Sequence, residues 1–253
     1  MSLAINTTWL VTLLLVSTRI LTWLMIAPPM ATAGVPRTVK GVLSVGLALA
    51  IVPTQIGHTP APEFVPVAGS LLEQILIGGG LGFLTRLIFT AIESAGALLD
   101  LFGGFSLASA YQPLSSSVTS IFGGFYGLLS TTLIFVTNAH LLIFQGMLRT
   151  FHAVPVNGHI AISKLDQQAA GAVTQLFLGA LQIAGPILIV LFIADIALGV
   201  LNRIAPQLNA FAMSFPVKIG LTLLLVGGGL ALMPQTVVHL AGQADEVISA
   251  VTG

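Results

Sequence analysis

No cysteine occurs among the 253 residues. Disulfides, thiolate metal sites and a cysteine nucleophile are thereby excluded. Charge is almost as scarce. Only 6% of the residues are charged, eight basic and eight acidic, where a soluble domain carries about 25%. So few charges cannot cover the surface of a water-soluble domain of this size, which excludes a cytosolic enzyme and a disordered tail. The net charge is zero, so there is no basic field to hold a phosphate backbone, and nucleic acid is not an expected partner. Enzyme signatures are missing as well: there is no His-Glu-x-x-His zinc pair and no Gly-x-Ser-x-Gly elbow. The five histidines, His58, His140, His152, His159 and His239, are scattered, none at the helical spacing of a paired ligand. His152 and His159 share a connection with Pro155 and Asn157-Gly158, which reads as a solvated turn. No catalytic, metal-binding or cofactor-binding residue is expected.

What is present is apolar: 56% of the chain is hydrophobic and the mean hydropathy is +1.04. The runs are long, rich in Leu, Ile and Ala, and do not alternate. They predict membrane helices rather than a membrane β-barrel. Six hydrophobic segments and a short amphipathic tail are expected. They run from Thr8 to Ala27, Val39 to Val52, Gly69 to Phe102, Ile121 to Met147, Gln168 to Ile204 and Phe215 to Met233. Pro28-Pro29, Pro53 and Pro234 mark three of the stops. Ala31-Thr32-Ala33 resembles a signal-peptide cleavage site, but no Lys or Arg precedes the first run and Arg19 interrupts it. That segment is therefore expected to remain as a helix.

The third and fifth segments are too long. A span needs about 20 residues, and tilt alone does not absorb the excess. They are expected to kink, as Gly185-Pro186 would allow, or to project beyond the bilayer against other chains. Arg37 and Lys40 flank the first connection, and Arg203 and Lys218 flank the fifth. Arg149 and Lys164 lie on the other side, with Glu63, Asp166, Asp245 and Glu246. The positive-inside rule then puts the odd-numbered connections in the cytoplasm and both termini outside.

Charges within apolar segments need partners or tasks. Arg86, Glu93 and Asp100 are seven apart, so they form one stripe on the third segment. The first reading is a set of buried ion pairs, with Arg19 and Asp195 as the partners within the chain. A proton path and contact with another subunit are the alternatives. Gly78 and Gly82, and Gly123 and Gly127, are four apart, and Gly227-Gly228-Gly229 lies in the sixth segment. Such residues let helix backbones approach closely.

The third connection reads GGFSLASAYQPLSSSVTSIFGG, Gly103 to Gly124, and carries no charge. A lipid-exposed loop would leave its backbone unsatisfied. The stretch therefore reads as a re-entrant or plug-like loop lining a cavity, with a plain surface loop as the alternative.

Three stretches together carry a family resemblance. The first runs from Arg19 through Ala27-Pro28 to Val35-Pro36-Arg37 and Lys40, then GVLSVGLALAIVP. The second is EQILIGGGLGFLTRLIFTAIESAG from Glu73, with Gly82-Phe83, Arg86, Phe89, Glu93 and Ala95-Gly96. The third is APQLNAFAMSFPVKIG, Ala205 to Gly220. The chain resembles the FliR family of flagellar export-apparatus proteins, called SpaR or SctT in injectisomes. Ala210 stands where the family usually has valine, a mild departure.

The resemblance implies an all-α subunit of a type III export gate. It implies assembly with FliP and FliQ into a hollow helical stack, with FlhB and FlhA as further partners. Unfolded substrate proteins would pass through its centre. The location implied is the bacterial inner membrane at the flagellar basal body, with the stack raised toward the periplasm. Residues 1–167 would be a FliP-like part and 168–253 a FliQ-like hairpin. Its cytoplasmic tip would hold Arg203, Pro206, Gln207, Asn209, Phe211, Pro216 and Lys218. The family's pore-closing loop falls on Gly103 to Gly124 here. Phe105, Tyr111 and Pro113 would be its bulky elements, set among Gly103, Gly104, Ser106, Gln112, Ser115, Ser116, Ser117, Gly123 and Gly124. Arg19, Arg86, Glu93, Asp100 and Asp195 would serve assembly or buried pairing. The rivals are a proton-coupled transporter of small solutes, using the third-segment carboxylates at a midplane site, and the equivalent injectisome subunit.

Overall fold

A computed structural model describes residues 7–32, 34–106, 120–159, 162–205 and 210–252. Among them every regular element is helical. Helix α1 spans Thr7–Ile26, α2 Arg37–Gln55, α3 Phe64–Gly103, α4 Ile121–Val136, α5 Ala139–Ala153, α6 Ile162–Ile204, α7 Ala210–Gly229 and α8 Met233–Thr252. Five helical stretches are long and apolar enough to cross a membrane, and α4 with α5 makes a sixth if the bent pair counts as one span. At 1.5 Å per residue, the 40 residues of α3 reach about 60 Å and the 43 of α6 about 65 Å.

Three boundaries differ from the sequence reading. The run from Ile121 to Met147 is two helices, bent by 79°. The break falls at Asn138, whose φ of 59° lies in the left-handed region that asparagine tolerates better than most residues. Helix α2 runs past Pro53 to Gln55. Pro234 does not end a helix; it sits in the first turn of α8, where its missing N–H would have had no partner. A 3-10 turn at Leu230–Leu232 joins α7 to α8. In α6 the helix continues through Pro186.

The chain divides into two compact units with interleaved ranges. One comprises Met1–Ile88, Ile134–Val173 and Val238–Gly253; the other comprises Phe89–Leu133 and Thr174–Val237.

In the first unit, α1 packs against α2 and against α3. Its face of Leu15, Val16, Ile20, Trp23 and Leu24 is fully buried. A methyl at Gly78 would meet the Arg19 carbonyl oxygen and, at 2.6 Å, Thr22 Oγ1; one at Gly82 would lie 3.2 Å from the Trp23 carbonyl. The expected small-residue seam is therefore real at this pair. The Trp23 ring meets Phe144 of α5 edge-on, with centroids 5.4 Å apart. From Val238 on, helix α8 buries Leu240, Ala241, Ala244, Val247, Ile248 and Val251 along one stripe, the one-sided pattern of an amphipathic helix.

A polar knot closes this unit. Helix α5 ends near Ala153, and its last carbonyls need donors from outside the helix. Arg19, fully buried, supplies them. Its Nη1 donates to the Val154 carbonyl at 2.9 Å and to that of Thr150 at 3.4 Å, and its Nη2 to that of Pro155 at 3.4 Å. Its Nε donates to Gln74 Oε1 at 2.6 Å, and Cζ lies 4.2 Å from the centre of the Phe151 ring. Gln74 Nε2 donates to the Val156 carbonyl at 3.0 Å. Gln55 donates to the Phe151 carbonyl at 3.0 Å and accepts from the Val156 N–H at 3.2 Å. Side chains from α1, α2 and α3 thus hold one short backbone stretch.

Candidate functional site: the neck of the uncharged connection

The second unit holds both ends of the uncharged connection. Helix α3 ends in a Schellman turn. Gly104 has φ +87°, a value side-chain-bearing residues rarely adopt, and the Phe105 N–H returns to the Asp100 carbonyl at 3.0 Å. Phe105 then meets Phe122 edge-on, with centroids 5.0 Å apart and planes at 90°. The chain re-enters helix at Ser120, whose Oγ accepts the Gly123 N–H at 2.8 Å. This is a serine N-cap on α4.

Asp100 fastens the two ends together. It is 5% exposed. Its carboxylate accepts the Ser120 hydroxyl and, at 3.0 Å, the Phe122 N–H. An acceptor at a helix N-terminus satisfies orphan amides and opposes the positive end of the helix dipole. One residue therefore holds the exit of the connection with its carbonyl and the re-entry with its side chain.

Small residues let the flanking helices close on this point. A methyl at Gly96 would meet the Phe122 carbonyl oxygen and, at 2.6 Å, the Gly123 nitrogen. One at Gly127 would lie 3.0 Å from Glu93 Oε1, and one at Gly123 would lie 3.2 Å from the Glu93 carbonyl. A methyl at Gly103 would lie 2.7 Å from Oγ1 of buried Thr222, and one at Gly104 would lie 3.5 Å from Phe215. The Thr222 hydroxyl donates to the Lys218 carbonyl at 2.8 Å, and Lys218 Nζ lies 2.6 Å from Asp195 Oδ1. The neck is thus continuous with the pairing of α6 and α7. In contrast, no described residue lies within 4 Å of a methyl at Gly227, Gly228 or Gly229, so the close approach expected there is not made among the described residues.

Arg19, Asp100 and Asp195 take other partners than those expected. Arg19 pairs with neutral carbonyls rather than with the carboxylates of α3. Asp195 pairs with Lys218. Asp100 caps a helix instead of joining an ion pair. Arg86 and Glu93 are exposed on α3. Arg203 is exposed at the end of α6 and Pro216 within α7; Phe211 lies in the first turn of α7. Gly124 is in the first turn of α4, where a methyl would meet nothing within 4 Å. Ser106 is half-buried just beyond the Schellman turn. Tyr111, Gln112, Pro113, Ser115, Ser116, Ser117, Pro206, Gln207 and Asn209 lie outside the described residues. The sequence reading overlooked Ser120, although a serine directly before an apolar run is a helix-start signal. It also overlooked Gln55 and Gln74, whose partners are backbone atoms. Among the described residues, no three His, Asp or Glu side chains gather as a metal-holding group.

An all-helical protein with membrane-length helices and a clasped, uncharged connection is the class defined by these features. Residues 10–244 match the family of bacterial export proteins, family 1. The chain belongs to this family, the FliR family. It is 30% identical to the flagellar biosynthetic protein FliR of Escherichia coli (strain K12), over 91% of this chain and 88% of that one. It is 29% identical to FliR of Pectobacterium carotovorum subsp. carotovorum over the same shares, 91% and 88%. It is 30% identical to FliR of Aquifex aeolicus (strain VF5), over 86% of this chain and 85% of that relative.

Proposed function

We propose that this chain is a structural and gating subunit of the flagellar type III protein export gate. With FliP-type and FliQ-type subunits it forms the channel through which unfolded proteins cross the bacterial inner membrane. FlhB and FlhA are the further partners proposed. The stack projects toward the periplasm, and the α6–α7 hairpin turns at its cytoplasmic tip. The observation that carries the gating role is the two-ended clasp at Asp100. It supports a closing element anchored at one point, because both ends of an uncharged connection are fixed to a single buried residue.

Exposure supports the assembly role. Within its most apolar 18-residue stretch, α6 is 17% buried and the span from Met213 to Val251 is 11% buried, against 56% in α3. Phe177, Leu181, Ile189, Phe192 and Ile196 are all open on α6. Apolar faces of that extent are covered by lipid or by other subunits.

The test removes the loop. Deleting Ser106 to Ser117 is expected to leave assembly with the other gate subunits intact and to raise ion leak through the purified, reconstituted gate. Normal assembly with an unchanged leak would refute the gating assignment.

A further inference from the structure

We propose that the corner between α1 and α2 binds a phosphate-bearing anion, and that its occupant is the headgroup of an acidic phospholipid. A cavity of about 640 Å³ opens there, lined by Met25, Ala31, Thr32, Val35, Pro36, Arg37 and Lys40. Two cations line it and no lining residue is acidic. Lys40 is the decisive one. It is 5% exposed, yet its ammonium has no hydrogen-bond or ion-pair partner among the described residues. The Lys40 stem is buried while the side chain lines the cavity, and a cation so held with no counter-charge from the chain favours an anion beside it. An anion can reach it from the cavity.

The backbone points the same way. Helix α2 has 19 residues, and no side chain caps its N-terminus at Pro36. The Val39 and Lys40 amides turn back to the Pro36 carbonyl at 3.1 and 3.3 Å. The Arg37 and Thr38 amides come before them, at the positive end of the helix dipole. Arg37 is three residues from Lys40, hence on the same face, and is exposed at the mouth. Two cations and a helix N-terminus make a site for phosphate oxygens.

The rest of the lining decides between a free ion and a lipid. Met25, Ala31 and Val35 give the cavity an apolar wall, which suits the glycerol and first methylenes of a lipid better than a hydrated ion. Both flanking helices are of membrane-spanning length. The charge rule assigns this connection to the cytoplasmic side, where the leaflet carries acidic headgroups.

The full chain, alone and copurified with its export partners, is reconstituted in nanodiscs of phosphatidylcholine with or without phosphatidylglycerol. Retained lipid is read by native mass spectrometry. The expected result is selective retention of phosphatidylglycerol, reduced at least about tenfold by Lys40→Met and restored by Lys40→Arg. Lys40→Met is checked for an unchanged unfolding temperature in phosphatidylcholine alone. If it fails to fold, Arg37→Gln at the exposed mouth is read instead, with the same direction expected. Equal retention by wild type and the folded variant would overturn the site. Displacement of the lipid by inorganic phosphate at equal concentration would overturn the lipid assignment. Carbodiimide cross-linking of Lys40 to a carboxylate of a copurified subunit, with no lipid retained, would overturn the proposal as well.

Discussion

At the scale of the residue, two buried polar side chains do most of the positioning, and both act on backbone. Asp100 holds an N-terminal amide and a capping serine. Asp100→Ala leaves the Phe122 N–H buried without its acceptor, a loss of about 2 to 3 kcal/mol. The expected sign is faster hydrogen exchange at the Phe122 and Gly123 amides, with little change in the first unit. Asp100→Asn keeps one acceptor oxygen and is expected to show a smaller acceleration. Arg19 is the counterpart in the first unit. Arg19→Ala strips the Val154 and Pro155 carbonyls and Gln74 of a donor together. Each unsatisfied buried group costs about 1 to 3 kcal/mol, so folded protein is expected to fall sharply in detergent extracts. Size-exclusion recovery measures this. Arg19 also shows what letters hide. Its charge is plain in the sequence, but its partners are carbonyls, which every residue has. A search for a carboxylate therefore names the wrong partner.

At the scale of the element, helices were legible because apolar runs of this length have no other solution in lipid. Breaks inside those runs were not. Asn138 stands in an apolar setting with no glycine or proline beside it, and one left-handed residue turns the helix by 79°. Pro53 and Pro234 misled in the other direction. Pro234 sits in a first turn, where its ring meets no preceding turn, whereas Pro53 lies inside the last turn of α2, which runs two residues beyond it. The glycine seams were legible where two helices are adjacent in one unit, as at Gly78 and Gly123. They could not be separated by sequence from Gly227-Gly228-Gly229, which meets nothing among the described residues. The α3–α4 seam gives a direct prediction. Gly96→Leu inserts a side chain where the Phe122 backbone already stands and is expected to cost at least about 1 to 3 kcal/mol. Gly228→Ala is expected to leave the isolated chain's unfolding temperature unchanged. If Gly228→Leu nevertheless blocks recovery of the complex, that glycine is an intersubunit contact.

At the scale of the whole molecule, scarcity of charge and openness of apolar surface describe one condition. The chain lacks the polar residues to face water, and it leaves the outer faces of α6 and α7 without cover from its own helices. A partner surface or lipid must complete both. Phe192→Glu, on an open face of α6, is expected to leave the purified chain helical by circular dichroism and to abolish copurification with the other gate subunits. Glu93→Ala tests the exposed part of the α3 stripe. Reduced complex recovery is expected if the stripe serves assembly. Normal recovery, with export that no longer responds to the proton gradient, is the result expected of a proton path instead.

The fastening at Asp100 also bears on how this protein can change over time. Because the connection leaves and returns at the same residue, its length is uncoupled from the register of the helices on either side. Residues inserted between Phe105 and Ser120 lengthen the connection without moving the clasp at Asp100, and residues removed shorten it. The segment can therefore vary by insertion and deletion while the scaffold drifts only by substitution.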